Sequence, residues 1–136
     1  KKEFNKYGVI DSIIFLEKRK LESHYNLYKQ IDIALDTFPY NGVTTTFEAI
    51  SMGVPVITMK GYNFNSRCGE SIIKNLGMDS LVANDEEDYI SKTINMTVDK
   101  NKLSETRKTI FNTSYQTSLF DTKKFSSDFF DILGKI

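Results

Sequence analysis

The fold is decided by residues 31–59, which read IDIALDTFPYNGVTTTFEAISMGVPVITM. Two short apolar runs, 31–35 and 55–59, bound this segment and have the continuous hydrophobic character of buried parallel strands. Between them a loop rich in turn-forming residues precedes a helix predicted over 44–52, which Gly53 ends. We therefore predict a strand, a loop, a helix and a second strand, in that order.

The same alternation extends on both sides of this unit. Further strands are predicted at 10–16 and 81–83, and further helices at 21–30 and 66–76. From residue 85 onward the pattern predicts only helices, at about 85–98, 101–112 and 122–136. Short strands alternating with helices predict an α/β fold with a doubly wound parallel sheet, followed by C-terminal helices. In such sheets ligands bind at the carboxyl ends of the strands.

Composition excludes several classes of protein. Lysine and arginine together number 18 and equal aspartate and glutamate, so no net charge favours nucleic acid or an anionic membrane. The single Cys68 cannot form an internal disulfide, and no Cys/His cluster has the spacing of a metal site, so we expect neither metal nor cofactor. No apolar run is long enough to cross a membrane. We expect a soluble, cytoplasmic protein.

Length and the first residues suggest how the chain is organised. With 136 residues, 40% of them apolar, residues 1–136 fit a single domain. The chain begins inside a predicted helix and without an initiator methionine. We therefore expect it to be part of a longer protein.

The loop before the helix at 44–52 is the first candidate site. The first amides of a helix carry partial positive charge and bind anions. Gly42, after Asn41, allows the backbone to approach a ligand closely, and the hydroxyls of Thr44 and Thr45 can bind phosphate oxygens. The alternative is that a threonine is only the N-cap and Asn41-Gly42 only a turn.

Three further side chains are candidates for contacts to a nucleotide. Glu48 lies one helical turn after Thr44, where its carboxylate can reach ribose hydroxyls. His24, the only histidine, can stack on a base or be a tolerated surface residue. Arg67, in the first turn of its helix, opposes the helix dipole, which indicates a nearby anion or a pair with Glu70.

Several segments together resemble one enzyme family: DIALDT (32–37), NGVTT (41–45), GVPVITM (53–59), Ser66-Arg67 and SLFDTK (118–123). In order and spacing they resemble the C-terminal lobe of the catalytic domain of O-linked N-acetylglucosamine transferases, which include the SPINDLY-type proteins. The resemblance covers about residues 13–130. It implies the GT-B architecture, in which two Rossmann-like lobes face each other across a cleft, and residues 1–136 would form one of these lobes.

The resemblance also implies roles for individual residues. Thr44 and Thr45 match threonines that contact the donor diphosphate, Glu48 matches an acidic residue that binds the ribose, and His24 matches a histidine beside the uracil. Val43 departs from the family, which commonly has histidine before the paired threonines.

The function implied is the donor-binding half of a glycosyltransferase that moves a sugar, expected to be N-acetylglucosamine from UDP-N-acetylglucosamine, to a protein hydroxyl without a metal. The expected partners are the nucleotide sugar, a protein acceptor, an N-terminal lobe that carries most catalytic residues, and tetratricopeptide repeats; nucleic acid and membranes are not expected. This chain alone is expected to be inactive. The alternatives are a UDP-sugar epimerase of GT-B shape and an inactive lobe that binds proteins.

Overall fold

The computed structural model describes residues 1–17 and 20–135. Its seven α-helices in that part of the chain are α1 (Lys2–Lys6), α2 (Leu21–Leu27), α3 (Thr44–Ser51), α4 (Cys68–Asn75), α5 (Glu86–Val98), α6 (Lys100–Thr113) and α7 (Thr122–Leu133). The strands are β1 (Ala34–Leu35), β2 (Val56–Met59) and β3 (Val82–Ala83). Short 3-10 turns cover Ile10–Ser12, Tyr28–Gln30, Phe64–Ser66, Asp79–Leu81 and Ser114–Gln116. Lys18, Arg19 and Ile136 lie outside the described residues.

The three strands form a parallel sheet in the order β1-β2-β3. Successive side chains of a strand point to opposite faces, and all four residues of the central strand β2 are buried. Both faces of the sheet are therefore covered, with α3, α4 and α5 packed against β2. The predicted α/β class with a doubly wound, Rossmann-like parallel sheet is confirmed.

The predicted strand at 10–16 is wrong. Ile10–Ser12 forms a 3-10 turn, the residues that follow it have no regular structure, and Ile14 is 84% exposed. The Phe15 ring instead packs edge-on against Phe4 of α1, with the ring centroids 6.1 Å apart. An apolar run becomes a strand only if a sheet edge accepts its backbone, and in the described residues β1 pairs only with β2.

The strand predicted at 31–35 is present but shorter, because it begins only at Ala34. The guanidinium of Arg107 in α6 donates to the carbonyl oxygens of Ile31 and Asp32, the latter at 3.0 Å. A side chain from the C-terminal helices therefore takes the acceptors that a longer sheet ladder would use.

The ends of α3 and α4 follow the sequence prediction. Gly53 and Gly77 have φ of +70° and +78°, the left-handed region that glycine adopts without steric cost. Beyond α3, the Gly53 N–H donates to the Ile50 carbonyl at 3.0 Å and the Val54 N–H to the Ala49 carbonyl at 2.9 Å. This pairing satisfies carbonyls that the helix end would leave free, and it directs the chain into β2.

The core lies between the sheet and the helices. Its fully buried apolar side chains come from α3, α4, α6, the strands and the segments just before β2 and β3, and they include Ile50, Val54, Val56, Ile57, Ile73, Leu81 and Ile110. Helix α7 differs because none of its residues is buried. Within the described ranges, no helix is both long and apolar enough to cross a membrane.

Candidate functional site

The site begins at Asp36, the first residue after β1, whose side chain is buried at 8% exposure. Its Oδ1 accepts a hydrogen bond from the Gly42 N–H at 2.7 Å, and its Oδ2 accepts one from the Thr58 hydroxyl at 2.8 Å. Burial raises the pKa of the Asp36 carboxyl, while the hydrogen bonds from Gly42 and Thr58 act in the opposite direction. A buried carboxylate is costly unless such donors satisfy it, and here both oxygens are satisfied.

Asn41 ties the loop before α3 to the loop before α4. Its side chain is 2% exposed; Nδ2 donates to the Thr37 carbonyl at 2.9 Å and Oδ1 accepts from the Gly69 N–H at 3.2 Å. The Asn41 N–H donates to the Asn65 carbonyl at 2.9 Å. Both ends of the amide therefore support the loops, and a direct contact of Asn41 with a donor stays a prediction.

Helix α3 begins at Thr44, so its N-cap residue is Val43. Neither Thr44 nor Thr45 is the N-cap, so that part of the alternative is wrong. Val43 has no polar side-chain atom, and no side-chain hydrogen bond caps this helix end. Thr44 and Thr45 are exposed in the first turn, where amide N–H groups lack partners within the helix. The start of α3 thus has the free donors that an anion needs.

A cavity of about 160 Å³ lies beside the start of α3. Its lining combines the loop after β1 with the helix start and includes Asp36, Thr37, Gly42 and Thr45. Gly42 is required for this close packing, because a Cβ atom there would overlap the Thr45 hydroxyl. The cavity therefore opens next to the threonine that the sequence assigned to phosphate.

Glu48 joins helices α2 and α3 through a single oxygen. Its Oε2 lies 3.0 Å from Nε2 of His24 and accepts a hydrogen bond from the Tyr28 hydroxyl at 3.2 Å. Burial, followed by the negative charge of Glu48, raises the pKa of Tyr28 to about 12, so this hydroxyl remains a donor at neutral pH. Sequence reasoning missed Tyr28, although its position one helical turn after His24 was a usable signal.

Arg67 is the N-cap residue of α4 rather than part of its first turn, and it pairs with a carboxylate of that helix. Its Nε donates to Oε2 of Glu70 at 2.8 Å, and Nζ of Lys74 lies 2.9 Å from Oε1. Burial would raise the pKa of Glu70, but the hydrogen bonds and charges of Lys74 and Arg67 outweigh it and hold that pKa below its usual value. The pairing alternative for Arg67 is confirmed, and its contact with a donor stays a prediction.

Comparison with known proteins identifies the family. The family model described as "Glycosyl transferase family 41" matches residues 2–129. The chain belongs to glycosyl transferase family 41.

Named relatives and a solved structure agree with this assignment. One relative is the "Probable UDP-N-acetylglucosamine--peptide N-acetylglucosaminyltransferase SPINDLY" from Eustoma exaltatum subsp. russellianum. It is 40% identical to this chain over 77% of the chain and 11% of its own length. The "UDP-N-acetylglucosamine--peptide N-acetylglucosaminyltransferase" of Caenorhabditis elegans is 30% identical over 91% of this chain and 11% of its own length. The structure of a mutant O-GlcNAc transferase of Thermobaculum terrenum matches with a TM-score of 0.82 and 31% identity over 87% of this chain and 23% of that chain. This family 41 chain thus spans about a tenth of the length of these curated relatives.

Five of the seven predicted site residues of this family 41 chain fall into three groups. Gly42 and Thr45 line the cavity beside α3, and His24 and Glu48 are in contact at 3.0 Å. Arg67 lines a different cavity of about 450 Å³, together with Val43. All of these groups lie on α3 or on segments in contact with it.

Proposed function

We propose that this chain is the donor-binding lobe of a glycosyltransferase that transfers a sugar from a uridine diphosphate sugar to a protein hydroxyl. The observation that carries the proposal is the start of α3, which lacks a side-chain cap and holds Thr44 and Thr45 in an exposed first turn. Membership of family 41 supports the reaction class. The names of the relatives, which specify UDP-N-acetylglucosamine and a peptide, support N-acetylglucosamine as the sugar and a protein as the acceptor.

The diphosphate would bind at the start of α3. Partial positive charge at a helix N-terminus stabilises phosphate, and the hydroxyls of Thr44 and Thr45 add two donors. Negative charge grows on the diphosphate as the sugar leaves, so preorganised donors there lower the barrier as well as bind the donor. The proposal assigns this stabilisation to amides and hydroxyls rather than to a metal or cofactor.

The nucleoside would extend from α3 towards α2. Both hydrogen bonds that Glu48 receives within the described chain fall on Oε2, which leaves Oε1 to accept from a ribose hydroxyl. His24 would lie beside the base, with its ring held edge-on against Tyr28 at 5.5 Å between centroids. The proposed enzyme also contains a second lobe and tetratricopeptide repeats. It acts on an acceptor protein, and we place it in the cytoplasm.

Titration calorimetry of the full-length protein with UDP, GDP and uridine tests the proposal. Thr44→Val and Thr45→Val each remove one hydrogen bond to a charged group, worth about 1.5 kcal/mol, so each should weaken UDP binding about tenfold and leave uridine binding unchanged. Thr122→Val is the matched control, because Thr122 is the first residue of α7 just as Thr44 is of α3. It should bind UDP as the wild type does.

His24→Ala should weaken UDP and uridine by the same factor, because a contact to the base is common to both ligands. Tighter binding of GDP than of UDP would overturn the assignment of the base. Absence of UDP binding at millimolar concentration would contradict the proposed site and favour a protein-binding lobe.

A further inference from the structure

We infer that Asp36 is a positioning residue for the donor diphosphate: its buried carboxylate fixes the Asn41-Gly42 turn from beneath and thereby sets the start of α3. The inference rests on the proposed function, because it concerns the loop to which the diphosphate is assigned. Asp36 acts through Gly42 and does not itself touch the donor.

The Asp36 carboxylate closes the loop that leads to α3. Oδ1 of Asp36 accepts from the N–H of Gly42, six residues later, at 2.7 Å. The Gly42 carbonyl in turn accepts from the Thr46 hydroxyl, in the first turn of α3, at 2.9 Å. Gly42 is thus held on one side by Asp36 and on the other by the helix. A shift of Gly42 would displace the backbone that leads into Thr44 and Thr45.

The other carboxylate oxygen of Asp36 is bound to the central strand. Oδ2 accepts from the hydroxyl of Thr58, which lies in the central strand and is 0% exposed. Thr58 also pairs in register with Val82 of β3. The Asp36 backbone is fixed as well, because its N–H donates to the Ile57 carbonyl at 2.9 Å and its carbonyl accepts from the Tyr89 hydroxyl at 2.8 Å. The carboxylate therefore transmits the position of the sheet to the loop.

Asp36 is a carboxylate beside a proposed anion site. A carboxylate in direct contact with a diphosphate would repel it and weaken its binding, so direct contact with the ligand does not explain a carboxylate at this position. Asp36 lines the cavity that Thr45 also lines, but both of its oxygens are engaged by Gly42 and Thr58. Its contribution is geometric, and a neutral side chain of the same shape should preserve it.

Calorimetry of the full-length protein with UDP and uridine tests the inference. Asp36→Ala should lower UDP affinity at least about tenfold, because it removes a charge-assisted bond to the loop. Uridine affinity should stay within about twofold, since the contacts of His24 and Glu48 remain. Asp36→Asn should keep UDP affinity within about threefold of the wild type, because its amide can accept from Gly42 N–H and donate to the Thr58 hydroxyl.

Variants at Thr58 keep the test decisive if Asp36→Ala does not fold. Thr58→Val replaces the anchoring hydroxyl with a methyl group and keeps the β-branched shape, and it should weaken UDP binding without weakening uridine binding. Thr58→Ser retains the hydroxyl and should bind UDP with wild-type affinity.

Equal losses for UDP and uridine would overturn the inference and assign Asp36 a general structural role. Full UDP affinity in a folded Asp36→Ala or Thr58→Val protein would also overturn it. The proposed function is judged separately, because it fails if the wild type binds no UDP, if it binds GDP more tightly than UDP, or if Thr44→Val and Thr45→Val have no effect.

Discussion

Gly69 offers a test of the packing beneath the candidate site. It is the second residue of α4, and a Cβ atom there would overlap both the Thr58 hydroxyl and the Asp36 carboxylate. Neither neighbour can move away easily, because Thr58 is fully buried in β2 and Asp36 is held by two hydrogen bonds. Gly69→Ala therefore forces a shift in the network that supports the loop before α3.

Two opposing effects decide the sign of this substitution. Alanine is a better helix former than glycine, which favours the variant by about 1 kcal/mol. Against this, overpacking a filled interior costs about 1–3 kcal/mol. Loss of the hydrogen bond from Thr58 to the charged carboxylate costs about 1.5–3 kcal/mol more. The unfavourable effects are larger, so we expect Gly69→Ala to lower the free energy of unfolding by about 1.5–5 kcal/mol.

Urea unfolding followed by far-UV circular dichroism measures this change. Gly134→Ala is the matched control, because the nearest atom to a Cβ at Gly134 lies 3.5 Å away, at the end of α7. It should alter the free energy of unfolding by less than about 1 kcal/mol. If Gly69→Ala were as stable as the wild type, or more stable, the close packing of α4 against Asp36 and Thr58 would be refuted.

Two predictions concern ionisation. Because the pKa of Tyr28 is raised to about 12, its contribution to stability is complete below pH 10 and is lost as the pH rises through 12. Ultraviolet titration should show a late-titrating tyrosine that Tyr28→Phe removes; loss of a tyrosine that titrates in the ordinary range instead would contradict the burial of Tyr28 and its contact with Glu48. Because the pKa of Glu70 is lowered, its contribution is present at neutral pH and is lost as the pH falls through the lowered pKa. Glu70→Gln should cost about 1 kcal/mol at pH 7, measured by urea unfolding, since Arg67 and Lys74 are half exposed and can be hydrated. The difference from wild type should shrink as the pH falls through the lowered pKa of Glu70, and a difference that does not change with pH would count against the ion pairs.

Local patterns predicted much of the fold. The helix expected at 44–52 is observed at Thr44–Ser51, and the strand expected at 55–59 is observed at Val56–Met59. Gly53 and Gly77 end their helices as expected. These features depend on the backbone preferences of neighbouring residues, which a sequence states directly.

The strand expected at 10–16 failed for a different reason. Its apolar composition is suited to a strand, but a strand also needs a partner edge, and Phe15 packs against Phe4 instead. Composition alone cannot report whether an apolar run will pair with a sheet edge.

The sequence by itself determined the class of the fold, the family resemblance and the position of the candidate loop between β1 and α3. Only the tertiary structure decided which polar groups meet. Asp36 bonds to Thr58 across 22 residues, and His24 meets Glu48 across 24. These contacts depend on how strands and helices pack, because residues so far apart have no fixed separation until the core assembles. The loop's residues were therefore readable from the sequence, whereas the contacts of Asp36 with Gly42 and Thr58, and of Tyr28 with Glu48, emerged only from the packing.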